Sequence, residues 1–248
     1  MQLPDYLCRV VLQAGLTLAC VLPLVLIAVW HSRTRRWSLL LFVASLIVLD
    51  VALVEIPRVD GFQYHHWSWQ ECILSTAWPF LLVAFVPGIS LASIGVTSRF
   101  RPGWLKPAIV CWLLAAALPA VAFLLGHRKT LDAESWAFLL IMPGLAEELV
   151  FRGVYQSLLN RVFGRPWRLA GAEFGWGLFI TAILFAGSNG LVTVDAQLHP
   201  HVVLHAAIAP VLLSFISGWG RERTDSVWPC VFGHNLSNVV LPIASLFT

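Results

Sequence analysis

The hydrophobic positions of this 248-residue chain fall into long runs that are separated by short polar connections. A helix that crosses a membrane needs about 20 consecutive, mostly apolar residues. By that measure the pattern predicts eight transmembrane helices, and the fold class is an all-α polytopic membrane protein. The predicted spans are residues 7–30, 38–57, 72–94, 107–126, 134–158, 172–190, 201–219 and 227–247.

The connections between these runs are too short to hold a separate soluble domain. Four spans fall in residues 1–130, which we interpret as N-terminal transmembrane helices. The other four fall in residues 131–248, so the chain is expected to form a single membrane domain with two halves. Neither half shows the internal repeat that many transporters carry.

The basic residues of the loops alternate along the chain and predict an orientation. Eleven lie in the odd-numbered loops and four on the opposite side of the predicted membrane. Because cytoplasmic loops carry an excess of Lys and Arg, we expect the odd-numbered loops to be cytoplasmic and both termini to be non-cytoplasmic. The four residues on the other side are Arg9, Arg58, Arg128 and Lys129.

The composition supports an integral membrane protein. The chain is 58% hydrophobic and 12% charged, with a mean hydropathy of +0.79, whereas soluble domains are about a quarter charged. The net charge of +3 comes without a basic stripe, so nucleic acid is not an expected partner. The five cysteines show no CxxC spacing and are interpreted as small buried apolar residues.

Two adjacent carboxylates interrupt the fifth predicted span, within the run IMPGLAEELVFRGVYQSLL. An ionised carboxylate in hydrocarbon costs several kcal/mol, so Glu147 and Glu148 near the middle of a membrane indicate a functional site. Their side chains leave a helix about 100° apart. Arg152 is four residues after Glu148 and can pair with it. We therefore predict a structural ion pair of Glu148 with Arg152, and Glu147 as the working carboxylate in a polar cavity. A purely structural Glu–Arg network is the alternative.

The last span supplies a second polar group. His234 and Asn238 are four residues apart, so they project from the same face of a helix. Histidine can relay a proton or bind a metal, and an asparagine amide can stabilise an oxyanion. The neighbouring Asn235 strengthens the prediction of a site. A lone histidine that only hydrogen-bonds a carbonyl is the alternative.

These residues resemble motifs of the CPBP family of intramembrane proteases, which includes the type II CAAX prenyl endopeptidases and the bacterial Abi proteins. The run AEELVFRG is similar to the EExxxR motif of that family. His234 and Asn238 match its third motif, and Ser226 to Pro229 resemble the approach to that motif. The resemblance covers about residues 134–247. It implies hydrolysis of a membrane-anchored protein or peptide in the lipid bilayer, near the anchor or the C-terminal tail.

One position departs from the family pattern. The second motif, Phe-x-x-x-His, has Asn189 where the histidine is expected. Asparagine is a poor zinc ligand and does not accept a proton at neutral pH. Zinc held by Glu147 and His234 would then lack ligands, unless His201 or His205 turns in from the next span. We therefore expect no cofactor and a metal-free, glutamate-type mechanism.

The mechanism implied by the resemblance has Glu147 activating a water for attack on the scissile carbonyl. His234 assists proton transfer, and Asn238, together with Asn189, stabilises the oxyanion. A compact chain of this kind indicates the plasma membrane of a bacterium. Two alternatives remain at the level of sequence. One is a catalytically impaired scaffold or bacteriocin-immunity protein, and the other is a proton-coupled transporter.

Two further acids lie in the second span. Asp50 is near the middle of the bilayer and Glu55 is near the outer end. We interpret Asp50 as hydrogen-bonded to a neighbouring helix, and Glu55 as close enough to the surface to be hydrated.

Overall fold

The computed structural model describes residues 3–56, 67–195 and 197–247. Within these ranges the chain is mainly helical, as the sequence predicts, with two short antiparallel strand pairs. The α-helices are α1 (Leu3–Ser32), α2 (Trp37–Glu55), α3 (Trp69–Phe85), α4 (Leu105–Leu124), α5 (Ala133–Glu148), α6 (Gln156–Phe163), α7 (Trp176–Ala186), α8 (Ile208–Thr224) and α9 (Trp228–Ser245).

The nine α-helices of the described residues correspond to the eight predicted spans, because α5 and α6 form one continuous helix that matches the fifth span. A π-helical segment, Leu149–Tyr155, joins them without a break. By length and composition, three helices of the described chain are apolar enough to cross a membrane, namely α1, α2 and α4. An integral membrane protein is therefore supported, and eight crossings remain a prediction.

The helices run alternately between two ends of the bundle. At one end the first and fifth loops meet, where Thr34 Oγ1 donates a hydrogen bond of 3.2 Å to the carbonyl of Val162. At the other end Arg9 of α1 lies 2.9 Å from Glu55 of α2. Which of these ends faces the cytoplasm remains a prediction from the charge pattern. The predicted basic residue Arg58 and the last position of the span 38–57 lie outside the described residues.

In three predicted spans, part of the predicted helix is not α-helical in the structure. Helix α3 ends at Phe85 rather than at residue 94, because Pro87 disfavours helical geometry before it and Gly88 has a φ of +82°. The seventh span begins at Ile208, since residues 200–202 form a strand and residues 204–207 a 3₁₀ turn. The sixth span begins at Trp176, because residues 172–174 also form a strand.

The two strand pairs were missed by the all-α prediction because each strand is only three residues long. Strands β1 (Trp167–Leu169) and β2 (Ala172–Phe174) pair antiparallel through a two-residue turn. Both residues of that turn, Ala170 and Gly171, have positive φ angles, as a type I′ turn requires.

The second pair, β3 (Val192–Val194) with β4 (Pro200–Val202), follows α7. Its loop is organised by Asp195, whose carboxylate accepts hydrogen bonds from the backbone N–H groups of Gln197 and His199. The His201 ring and these N–H groups hold the pKa of Asp195 at about 2. Arg9 donates to the carbonyls of Val194 and Asp195, so this hairpin is fastened to the end of α1.

The helix from Ala133 to Phe163 is the centre of the bundle. Along its middle and second half nearly every side chain is buried, charged and apolar residues alike. The apolar residues of its second half pack in one cluster with residues of α1, α2, α3 and α7. The carboxylate motif therefore lies in an almost fully enclosed stretch of helix, where solvent screening is weak.

The orientation can be tested by inserting alkaline phosphatase into the full chain, expressed in a Gram-negative bacterium. This enzyme needs disulfides and is active only in the oxidising periplasm. We expect activity after Gly126, between α4 and α5, and none after Gly164, between α6 and β1. The reverse pattern would contradict the predicted orientation, and equal activity at both positions would contradict a crossing by the Ala133–Phe163 helix.

Candidate functional site

The carboxylate motif lies at the point where α5 changes into a π-helical segment. The change begins directly after Glu148, and the N–H of Gln156 donates to the carbonyl of Phe151, five residues earlier. A π-helical segment alters the angular spacing of side chains along a helix and is frequent at functional sites. Here it carries Arg152, so the local backbone contributes to where the guanidinium is placed.

Glu148, Arg152 and His234 form a buried charged cluster. Arg152 Nε lies 3.1 Å from Glu148 Oε2, and His234 Nδ1 lies 3.0 Å from Glu148 Oε1. The Glu148 side chain is 1% exposed and that of Arg152 is fully buried. Each oxygen of Glu148 thus has its own partner, and the Arg152 guanidinium also lies 5.0 Å from the ring centre of Phe185.

The contact with Glu148 fixes how the His234 ring can work. An ionised carboxylate only accepts hydrogen bonds, so the ring nitrogen beside it, Nδ1, carries a proton. On a neutral ring, Nε2 is then the nitrogen that accepts a proton. Glu148 therefore orients His234 as a second carboxylate commonly orients an active-site imidazole.

Glu147 points away from this cluster and meets Asn189. Asn189 Nδ2 lies 3.3 Å from Glu147 Oε2 and 3.0 Å from the carbonyl of Phe185. Asn189 stands where α7 unwinds, with a φ of −107° and a ψ of 35°, and Gly190 follows with a φ of +107°. The two adjacent glutamates thus have different partners, as their angular separation on a helix predicts.

Asn235 joins α9 to α5 beside this site. Its Oδ1 accepts a 2.8 Å hydrogen bond from the N–H of Gly144, and its Nδ2 donates to the carbonyl of Ile141 at 3.2 Å. A Cβ at position 144 would lie 2.5 Å from Asn235 Oδ1, so only glycine allows this approach. Because Asn235 follows His234 directly, this contact helps to fix the position of His234 along α9 relative to Glu148. The sequence analysis noted Asn235 only as a neighbour of His234. The signal for this contact in the sequence is Gly144, a glycine within an apolar helix that allows a close approach by another helix.

A polar cavity of about 270 Å³ opens in front of Glu147. It lies between α1, α2, α3, α5 and the segment from Ser188 to Val194. Its polar lining residues are Arg9, Gln13, Asp50, Glu55, Glu71, Ser75, Glu147, Ser188, Asn189 and Thr193. Most of these residues come from the first half of the chain, so both halves build the cavity.

The other predicted site residues lie elsewhere. His234 and Asn238 are not among the residues that line the cavity. Asn238 is partly buried, and its side chain makes no hydrogen bond to another described residue. His205 is exposed and His201 binds Asp195 at the hairpin, so neither histidine turns toward Glu147.

A zinc ion would find few ligands here. Catalytic zinc sites generally use three protein ligands, and Glu147 and His234 supply two. Asn189, at the third position, offers an amide whose nitrogen donates to Glu147. Within the described residues, no group of three His, Cys, Asp or Glu side chains is placed to hold a metal. The donor set therefore does not fit a zinc site.

The fold and the site together define a helical membrane protein in which a carboxylate of α5, an amide from the end of α7 and an ion-paired histidine of α9 lie close to one another. Residues 129–240 match the family model of the type II CAAX prenyl endopeptidase Rce1-like proteins. No curated protein and no solved structure matches the chain. The resemblance identified from the sequence motifs is thus confirmed for this segment, which is similar to an Rce1-like domain. The match supports a general intramembrane protease function and a protein substrate.

The buried cluster can be tested by replacing Arg152 with Met. Removing one partner of a buried ion pair typically costs about 3–5 kcal/mol, because the other charge is left uncompensated. We expect a clear drop in the melting temperature of the detergent-solubilised protein. The matched control is Arg168→Met, which breaks the exposed pair with Glu173. It should melt close to the wild type, since exposed pairs contribute little. Equal melting of all three proteins would contradict a stabilising role for the cluster.

Proposed function

We propose that this protein is an intramembrane endopeptidase in which Glu147 activates the attacking water. The observation that carries the proposal is the separation of the two motif carboxylates. Glu148 is held by Arg152 and His234, whereas Glu147 lines a polar cavity large enough for water and a stretch of peptide. A general base must reach the water that it activates, and of the two glutamates Glu147 is the one on the cavity.

The neighbouring groups support this role by holding and assisting the base. Asn189 donates to Glu147 and limits the positions that its carboxylate can take. His234 interacts electrostatically with Glu147, and its Nε2 is proposed to assist proton transfer. Asn238, on the same helix, is proposed to stabilise the oxyanion with its amide. The ion pair of Glu148 with Arg152 fixes the backbone from which Glu147 projects.

The proposed substrate is a membrane-anchored protein or peptide, cut near its anchor or its C-terminal tail. This follows from the membrane context of the site and from the activity of the matching family, the type II CAAX prenyl endopeptidases. The proposed mechanism is metal-free, because the donor set around Glu147 is two ligands rather than three. The proposed location is the plasma membrane of a bacterium, with both termini non-cytoplasmic.

A second candidate function is a catalytically impaired membrane scaffold or immunity protein. Asn189 favours it, because an amide cannot exchange a proton with Glu147 as an imidazole would. In that case the fold and the buried cluster would be kept for stability, and the cavity would bind a partner without cutting it.

The two functions are distinguished by cleavage assays in proteoliposomes with internally quenched peptides. The peptides carry a farnesylated C-terminal tail, or the same tail without the lipid. Removing a general base or its partner typically lowers a rate about 10²–10⁴-fold. We expect losses of that size in Glu147→Gln and His234→Ala.

The control for these variants is Glu173→Gln, which removes an exposed carboxylate on β2 and should cleave at the wild-type rate. Cleavage that persists in Glu147→Gln would contradict the assignment of the base. A wild type that binds the tailed peptides and cuts none of them would favour the scaffold.

A further inference from the structure

Asp50 occupies an unusual position in the first half of the chain. It lies in the last third of α2, a mostly apolar helix, and is 8% exposed. The Trp78 indole N–H of α3 donates a 2.8 Å hydrogen bond to Asp50 Oδ1. Ser75 and Tyr155 are its other polar neighbours, and the Tyr155 hydroxyl donates to the carbonyl of Leu46 at 3.2 Å. Among the described residues no Lys, Arg or His forms an ion pair with it, and the donor that they supply, the Trp78 indole, is neutral.

Asp50 and Glu147 face the same cavity from different helices. Both belong to its lining, and so do Ser75, Ser188 and Asn189. The two carboxylates are close enough to interact electrostatically. Two carboxylates on one poorly solvated cavity tend to share a proton rather than both carry a charge. The cavity can therefore hold one carboxylate as a base and the other as an acid.

A purely structural role does not explain a carboxylate at this position. The hydrogen bond from Trp78 needs only an acceptor oxygen, which an asparagine or glutamine amide would supply. Placing an acidic group inside a membrane costs free energy, and such groups usually mark functional sites. Asn189 cannot carry a proton to or from Glu147. Asp50 is a titratable side chain on the same cavity and can take that role.

We propose that Asp50 is a second catalytic carboxylate, which gives a proton to the leaving amine in the hydrolysis that Glu147 begins. This proposal rests on the proposed function and adds a residue from outside the segment that matches the family model.

The steps balance without any further reactant. The Glu147 carboxylate takes a proton from water while the water oxygen bonds to the scissile carbonyl carbon, and the carbonyl π electrons move to its oxygen. When the tetrahedral intermediate collapses, the carbon–nitrogen bond breaks and its electron pair stays on nitrogen. That nitrogen takes the proton of Asp50. Glu147 then returns its proton to Asp50 through a cavity water, and both carboxylates regain their starting states.

The test compares Asp50→Asn with the wild type in the proteoliposome assay with farnesylated and unlipidated quenched peptides. Asparagine keeps the size and the acceptor for Trp78 but carries no proton to donate. We expect the rate to fall about 10²-fold or more, with a melting temperature close to the wild type. The matched control is Asp5→Asn, which removes an exposed carboxylate of α1 and should leave the rate unchanged.

Two further variants separate catalysis from structure. Trp78→Phe breaks the same hydrogen bond but keeps the Asp50 carboxylate, so it should retain most of the rate. In the double variant Asp50→Asn with Asn189→His, an imidazole restores a proton carrier beside Glu147. We expect the double variant to cleave at least tenfold faster than Asp50→Asn alone. If the role of Asp50 is only structural, the two variants should cleave at the same rate.

Each outcome decides the proposal. Wild-type cleavage with an equally active Asp50→Asn variant overturns the role of Asp50 and leaves Glu147 as the base. An inactive, unstable Asp50→Asn variant that Asn189→His does not rescue also overturns it. If the wild type cuts none of the peptides, the proposed function and this assignment both fail.

Discussion

The structure depends on one buried electrostatic contact, the pairing of Glu148 with Arg152 and His234. An unpaired charge in this apolar interior would be strongly destabilising, and removing Glu148 or Arg152 leaves such a charge behind. The contact also links helices, because Glu148 belongs to α5, Arg152 to the π-helical segment and His234 to α9. Asn235 adds a neutral clamp between the same helices. Because these contacts hold Glu148 in place, they also fix the backbone of the adjacent residue, Glu147.

Neutralising one glutamate within the protein leaves the other available for chemistry. Glu147 and Glu148 are chemically identical, yet one is enclosed by a cation and an imidazole while the other faces a cavity and an amide. This difference arises from the geometry of the helix, which turns adjacent side chains toward different neighbours. It gives a physical basis for assigning the working role to Glu147 and the supporting role to Glu148.

The first half of the chain shapes the chemistry of the second. The family match begins at residue 129, but Arg9, Gln13, Asp50 and Ser75 come from α1, α2 and α3 and line the cavity in front of Glu147. The hairpin β3–β4 is fastened to α1 by Arg9 and by Gln13, which donates to the carbonyl of Val192. The N-terminal helices therefore set the polarity and the entrance of a site whose motif residues lie on α5, α7 and α9.

The sequence by itself determined the helical class, the approximate position of each helix and the motif residues. Hydrophobic runs of membrane length and i,i+4 spacings are local properties that can be read without a fold. The sequence also indicated that Glu148 pairs with Arg152. In three spans, the sequence predicted α-helix where the structure has none. The reason is that a proline or a three-residue strand can end a helix without changing the hydrophobicity of the run.

Only the tertiary structure decided which distant groups meet. The contacts of Asn189 with Glu147 and of Asn235 with Gly144 join residues 42 and 91 positions apart, and no pattern in one sequence specifies such distances. The same holds for Asp50, whose sequence context suggested a hydrogen bond to a neighbouring helix. That bond exists, with Trp78, but packing of α2 against the central helix also places the carboxylate on the cavity of Glu147. Its relation to Glu147 is set by three-dimensional packing, because electrostatic coupling depends on distance in space and not on separation along the chain.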